Sequence, residues 1–263
     1  AEIAISQDIV LHCAGKAHDL IKASNVEEYY HVNNEITRKL FDAFIASEAK
    51  VFITLSSVKA VADTVSGELT EEAIPSPITH YGKSKLLAEQ YILSKKIPEG
   101  KRAYILRPCM IHGVGNKGNL NLLYEFASRG LPWPLGDFKN SRSYCSIENL
   151  CFIIKELIDR NDIPSGIYNV SDDEPISTNQ VVILIAESKG KPDQVINLSK
   201  SFIRAIARLG DFLKLPLNTE RLQKLTESYV VSNHKIKRAL GKSLPLTSSE
   251  GLRKTFRSFS SNA

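Results

Sequence analysis

Apolar residues fall into two rhythms along this chain. Short apolar runs at Val51–Leu55, Ala103–Pro108 and Ile167–Val170 read as strands, and Asp8–Gly15 reads as a strand running into a turn of small residues. Between them the apolar positions recur at helical intervals. Tyr29, Val32, Ile36, Leu40, Phe41, Phe44 and Ile45 predict an amphipathic helix over 25–48. Leu86, Leu87, Tyr91 and Ile92 predict another that begins near Thr79-His80-Tyr81. Further along come a helix after Ser177-Thr178, a basic helical stretch near 201–210, and a strand with a short Lys-rich helix over Tyr229–Leu240. Residues 1–8 read as the tail of a helix, and the end after Arg253 is polar and expected to fray. The pattern predicts an α/β chain, in which ligands sit at the carboxyl edge of the sheet.

The stretch Val51–Lys96 carries the chemistry. Its strand ends abruptly in Ser56-Ser57, a polar loop follows, and a helix opens on Tyr81-Gly82-Lys83-Ser84-Lys85. Tyr81 and Lys85 are four residues apart and so share a helix face. A Tyr hydroxyl ionises near pH ~10, and a neighbouring ammonium favours the phenolate. The pair can therefore exchange a proton with a substrate hydroxyl that Ser57 holds from the other side. Tyr91 and Lys95 repeat the spacing, but roughly 15 Å further along the helix and away from the strand edge, so they read as surface residues.

Composition narrows the picture only a little. The 263 residues can bury a sizeable core, and 43% hydrophobic with 24% charged residues is ordinary for a globular protein. A net charge of +5 suits an anionic small molecule and is too diffuse to argue for nucleic acid. No apolar run approaches the ~20 residues that span a bilayer, so no membrane partner is expected, and 201–210 reads as a lobe helix although it has a membrane-surface look. Cys13, Cys109, Cys145 and Cys151 show no metal-like spacing and read as reduced packing residues of a cytoplasmic protein. His12 and His18 belong to no metal constellation.

The strand ending Ser56-Ser57, the loop Pro75-Ser76-Pro77 and the Tyr81-Gly82-Lys83-Ser84-Lys85 motif closely resemble the extended short-chain dehydrogenase/reductase family, in particular its nucleotide-sugar epimerases and 4-keto-reductases. The resemblance implies an α/β, Rossmann-type doubly wound parallel sheet, N-terminally incomplete, with a smaller mixed substrate lobe. The core would span 1–110 and regain segments at about 143–172, with 111–263 mainly the lobe. It implies NAD, with NADP possible, as cofactor, and Ser57, Tyr81 and Lys85 as catalytic residues. Ser56, Tyr81, Lys85 and Pro108 would lie along the cofactor. Ala14 and Gly15 match a family element beside the dinucleotide, a plain strand-to-loop turn being the other reading. Asn33 aligns with a helix asparagine on the cofactor side, against a solvated helix Asn. Met110, Asn119, Leu120 and Arg142 fall where the family meets the sugar nucleotide; Met110 stands where epimerases often have Asn. An apolar strand near Pro134-Leu135 would bracket the base, and Arg142 would fork a diphosphate unless it is a solvated loop cation. Trp133 reads as packing.

The resemblance begins in mid-domain, because no Gly-x-x-Gly-x-x-Gly follows a first strand in this sequence; the expectation is a natural protein with an upstream half. Val58-Lys59 replaces the acidic pair of sugar dehydratases, which argues against a 4,6-dehydratase. The implied activity is hydride transfer at C4 of a nucleotide sugar, a UDP-hexose or UDP-N-acetylhexosamine, in polysaccharide biosynthesis, by an epimerase or a 4-keto-reductase acting as a homodimer. The rival is a non-catalytic dinucleotide-binding sensor, which the missing glycine loop favours and the intact triad opposes. A sterol or flavonoid reductase has less support, since Asn119 and Arg142 suit a diphosphate.

Overall fold

The structure, a computed structural model, describes residues 3–17, 26–116, 119–192, 195–213 and 217–260, without the side chains of Asn119 and Ser260. In chain order its elements are β1 (Ile9–His12), α1 (Val26–Tyr30), a π turn (His31–Glu35), α2 (Ile36–Ala46), β2 (Val51–Leu55), β3 (Glu68–Leu69), α3 (His80–Leu93), β4 (Arg102–Pro108) and β5 (Met110–His112). There follow α4 (Asn119–Ser128), β6 (Tyr144–Ser146), α5 (Ile147–Asp159), β7 (Gly166–Val170), α6 (Thr178–Ser188), α7 (Lys200–Leu213), α8 (Thr219–Thr226), β8 (Val230–Val231), α9 (His234–Leu240) and α10 (Ser248–Ser260).

The chain divides into two compact units: Ala1–Met110 with Asn149–Ser171 and Val231–Pro245, and Ile111–Glu148 with Asp172–Val230 and Leu246–Ala263. The first unit is built on a parallel sheet in the order β1-β2-β4-β7. Its strands are apolar because both faces are covered. Phe52, Ala103 and Ile105 face the helices α2 and α3, where Phe41, Phe44 and Ile92 complete a core whose three Phe rings lie 5.0–5.8 Å apart. The alternate positions of β4 face the other way: the Tyr104 hydroxyl donates to Ile163 O at 2.8 Å and Arg102 Nη1 to Leu157 O at 3.1 Å. The first unit regains the chain at Asn149, within α5, and again at Val231–Pro245, where α9 sets Lys235 Nζ 5.0 Å over the Tyr168 ring of β7.

The second unit packs α4, α6 and α10 together, with Tyr124 stacked on Phe256 at 5.9 Å and edge-on to Phe259 at 4.9 Å. Trp133 is packing, its indole donating to Asn179 Oδ1 at 2.8 Å. Three sequence expectations change. The end after Arg253 does not fray but continues α10 to Ser260, because Phe256 is buried. The described part of 1–8 is irregular rather than helical, because Asp8 O is taken by Lys50 N and Val51 N as the chain enters the sheet. Around Pro134-Leu135 the described residues form only single pairings, Trp133 with Val195 and Leu135 with Asn197, rather than a strand. Of the cysteines only Cys145 is buried; Cys13 and Cys151 are exposed, and all four are free thiols.

Candidate active site

Strand register sets the site. His12 pairs with Thr54, Leu55 with Leu106, and Pro108 with Val170, so Ala14-Gly15, Ser56-Ser57 and Pro108 all leave the sheet at one carboxyl edge. The helix α3 begins beside that edge because Thr79 caps it, accepting from Gly82 N at 3.2 Å. The cap is pinned in turn by Asp63, whose carboxylate accepts from Ile78 N at 2.6 Å and from the Thr79 hydroxyl at 3.2 Å.

Each letter of Tyr-Gly-x-Ser-Lys then has a physical reason. A Cβ at Gly82 would sit 2.3 Å from Lys59 O and 2.8 Å from Pro77 Cβ, so only glycine lets α3 lie this close to the Ser57 turn. Ser84, fully buried, donates to Tyr81 O at 2.8 Å and accepts from Asn33 Nδ2 at 3.0 Å. Asn33 sits in the π turn, a local widening often found at functional sites. Its amide also accepts from Lys16 N at 2.8 Å and donates to Lys16 O at 3.0 Å. Asn33 thus ties the Gly15 turn to α3. The same turn engages Thr37, whose hydroxyl donates to Asn33 O at 2.9 Å. With that hydrogen spent, His12 Nε2 must donate to Thr37 Oγ1, also at 2.9 Å. Burial, and secondarily Lys85, push His12 down to about 4, so the ring is neutral.

Ser57 accepts from Lys59 N at 3.2 Å, and its side chain beside Tyr81 favours the phenolate. Burial outweighs it and holds the Tyr81 hydroxyl above the ordinary tyrosine range, with Tyr29, edge-on at 6.4 Å, adding to the rise. The expectation that Lys85 lowers Tyr81 is therefore not met by this arrangement. Lys85 Nζ instead donates to Leu55 O at 2.9 Å, and burial brings it down to about 8 against the pull of Glu89. Both groups are held in their uncharged-leaning forms by desolvation.

Sequence reasoning missed the group beneath them. Glu89 is one turn past Lys85, 2% exposed, and accepts from Arg107 Nε at 3.0 Å and Nη2 at 2.5 Å, as well as from the Ser56 hydroxyl. The Lys85–Glu89 spacing was visible in sequence, but the partner on β4 was not. Arg107 faces this carboxylate. Tyr91, by contrast, donates to both carboxylate oxygens of Asp42 (2.6 and 2.8 Å) and carries Arg38 and Lys95 over its ring, a packing arrangement.

Gly15 packs directly against the Lys85 ammonium: a Cβ there would come 2.8 Å from Lys85 Nζ and 3.3 Å from Asn33 Oδ1, so glycine is what lets the turn after β1 approach α3 this closely. Met110 opens β5 just past Pro108. In the second unit Leu120 is buried in α4, and Arg142 donates to Lys224 O at 2.6 Å with Glu227 at 3.6 Å, so its guanidinium is already partnered. The side chain of Asn119, and His18, lie outside the described residues. Among the described residues no cluster of His, Cys, Asp or Glu could hold a metal ion.

Comparison with known proteins bears on this arrangement. The chain is 31% identical over 261 residues to the UDP-glucose 4-epimerase of Vibrio cholerae, covering 95% of this chain and 76% of that protein. It is 30% identical over 187 residues to the N-acetyl-alpha-D-glucosaminyl-diphospho-ditrans,octacis-undecaprenol 4-epimerase of Escherichia coli O157:H7, covering 70% of this chain and 55% of that one. Its fold matches the UDP-glucuronic acid 4-epimerase of Bacillus cereus in complex with NAD (TM-score 0.73, 17% identity, 98% of this chain and 76% of that one). That likeness shows a shared Rossmann-type α/β fold. Residues 2–171 match the model of the NAD dependent epimerase/dehydratase family, and the chain belongs to that family.

Proposed function

We propose that this protein transfers hydride at C4 of a hexose carried on a diphosphate, a UDP-hexose or UDP-N-acetylhexosamine, either oxidising and re-reducing it as a 4-epimerase or reducing a 4-keto sugar as a 4-keto-reductase. The observation that carries this reading is the placement of Ser57 just past the carboxyl end of β2 beside the start of α3, where Tyr81 and Lys85 lie one turn apart and Gly15 packs against the Lys85 ammonium. In this reading Tyr81 takes the C4 hydroxyl proton as the alcohol becomes a ketone and returns it on reduction, while Ser57 orients the same oxygen. Lys85 and Gly15 hold the ribose, Asn33 fixes both, and Ser56, Pro108 and Ala14 shape the walls. A nicotinamide bound there supplies the hydride acceptor and donor.

Both named relatives act, by their names, as 4-epimerases, which supports C4 as the reacting carbon. Val58 and Lys59, the residues after Ser57, bring no carboxyl group for dehydration. The substrate's diphosphate side is assigned to Met110, Asn119, Leu120 and Arg142, Arg142 exchanging its bond to Lys224 O for phosphate oxygens. A homodimer through α2 and α3 belongs to the same proposal, with Leu87 and Leu93 exposed on α3.

The test is incubation of the NAD-supplemented protein with UDP-glucose, UDP-N-acetylglucosamine and the corresponding 4-keto sugar with NAD(P)H, followed by NMR of the products. The expected product differs from the substrate at C4 alone. A product altered at another carbon, or none with any of them, contradicts the reading.

A further inference from the structure

The helix α7 stands apart from the rest of the second unit in how it distributes its side chains. At about 100° per residue, Ile203, Ala207 and Gly210 share one side, and all three are buried. Gly210 lies so close to the turn before α8 that a Cβ would sit 1.9 Å from Leu217 O. The opposite arc is Phe202, Ala205, Leu209, Phe212 and Leu213, at helical spacing (i, i+3, i+7, i+10, i+11). Its large members are 56%, 55%, 84% and 53% exposed for Phe202, Leu209, Phe212 and Leu213 respectively. That is one continuous apolar strip, not the scattered exposure a surface helix tolerates.

Between the buried side and the apolar strip runs a row of cations: Lys200, Arg204 and Arg208. Lys139 joins them around an open cavity of about 410 Å³. Asp211 is the one acid in the row, and it is engaged by Thr219, whose backbone N–H donates at 3.0 Å and whose hydroxyl donates to the other oxygen.

We propose that α7 is an interfacial helix that lies flat on an anionic lipid bilayer. Phe202, Leu209, Phe212 and Leu213 enter the boundary of the acyl chains, and Lys200, Arg204 and Arg208 meet lipid phosphates. Charge complementarity selects this occupant: a second copy seated face to face would bring the two cation rows together, whereas a negatively charged surface neutralises them. The arc also has the composition of an interfacial rather than a spanning helix. At ~1.5 Å per residue its 14 residues cover about 21 Å, short of a bilayer core, and among the described residues no helix is long and apolar enough to cross a membrane. The surface lies on α7 alone and does not depend on the sugar chemistry proposed above. With both, the protein would work on sugar diphosphates at the membrane surface.

Vesicle co-sedimentation tests it, with phosphatidylcholine vesicles containing about one-third phosphatidylglycerol, and with pure phosphatidylcholine. The protein is expected to sediment with the anionic vesicles and to release at high salt. Leu209→Ser with Phe212→Ser, both exposed and so compatible with folding by circular dichroism, should lower partitioning at least about tenfold. Arg204→Gln with Arg208→Gln should lower it about tenfold or more on anionic vesicles, with little change on neutral ones. Protein that stays in the supernatant, or a Leu209→Ser/Phe212→Ser variant that sediments like the parent, overturns the proposal. So does a dimer in analytical ultracentrifugation that this variant converts to monomer, because the arc would then be a contact between copies.

Discussion

At the scale of single residues, the site is set by desolvation more than by charge pairing. Lys85 shows the consequence for stability. Its folded pKa of about 8 lies below the ordinary lysine value, so between about pH 8 and ~10.4 the unfolded chain binds more protons than the folded one. Stability from this group therefore rises with pH through that window, and the full cost of burying the ammonium is felt below it. Replacing Lys85 with Met should raise the unfolding free energy at pH 7, read by urea titration, by an amount of order 3 kcal/mol. The advantage over the parent should shrink toward zero near pH 10. A gain that is the same at both pH values would mean that the ammonium is not desolvated. The sequence made Tyr81, Lys85 and Ser57 legible because their motif is local and their chemistry follows from residue type. The sign of the Tyr81 shift was not legible, since it depends on how deeply α3 is buried and on Tyr29, a residue of another helix.

At the scale of elements, the position of α3 is fixed by contacts that small residues permit. Gly82 is the tightest, with Lys59 O where its Cβ would be. Gly82→Ala should push the start of α3 away from the Ser57 turn, cost about 1–3 kcal/mol, and separate the Ser57 and Tyr81 hydroxyls. Chemical denaturation reads the first effect. A tyrosine titration followed by ultraviolet absorbance reads the second, because Tyr81 moves away from the Ser57 side chain that favours its phenolate and should ionise at still higher pH. An alanine variant as stable as the parent with an unchanged titration would refute this packing account. The strands β2, β4 and β7 and the helices α2, α3 and α6 were predictable from periodicity, and the Ser177 and Thr79 caps fall where the sequence signals them, whereas α5 and α10 were not anticipated. The π turn at Asn33 was not, because nothing in the spacing of Tyr29, Val32 and Ile36 announces a local widening. The irregular lead into β1 and the single pairings around Pro134-Leu135 likewise depend on which partners the neighbouring backbone offers.

At the scale of the whole molecule, one buried ion pair ties the site to the sheet. Glu89 on α3 joins Arg107 of β4 and Ser56 at the end of β2, 18 and 33 residues away in sequence. Breaking such a pair leaves an uncompensated buried charge, so Glu89→Ala should cost about 3–5 kcal/mol, whereas Glu89→Met with Arg107→Met should recover most of it. Equal losses in the single and double variants, read by thermal and urea unfolding, would show that Glu89 acts through its volume alone. The sequence could not disclose this pair, because residue type says that a buried carboxylate needs a partner only once burial is known. It did disclose the family and the α/β class, since the strand–Ser-Ser–loop–Tyr-Gly-x-Ser-Lys order is itself a statement of topology. The diphosphate side was less legible. Arg142 has the right chemistry, but Lys224 O and Glu227 already engage it.

The central claim is that Tyr81 moves the proton of a sugar C4 hydroxyl. The most direct measurement is the turnover of the C4-epimerising or reducing substrate by the parent and by Tyr81→Phe, which removes a single oxygen atom from the site. A loss of at least about a hundredfold in kcat with KM nearly unchanged is expected, because the hydroxyl acts in the chemical step. A Tyr81→Phe variant that turns over at the parent's rate, or loses only KM, would contradict it.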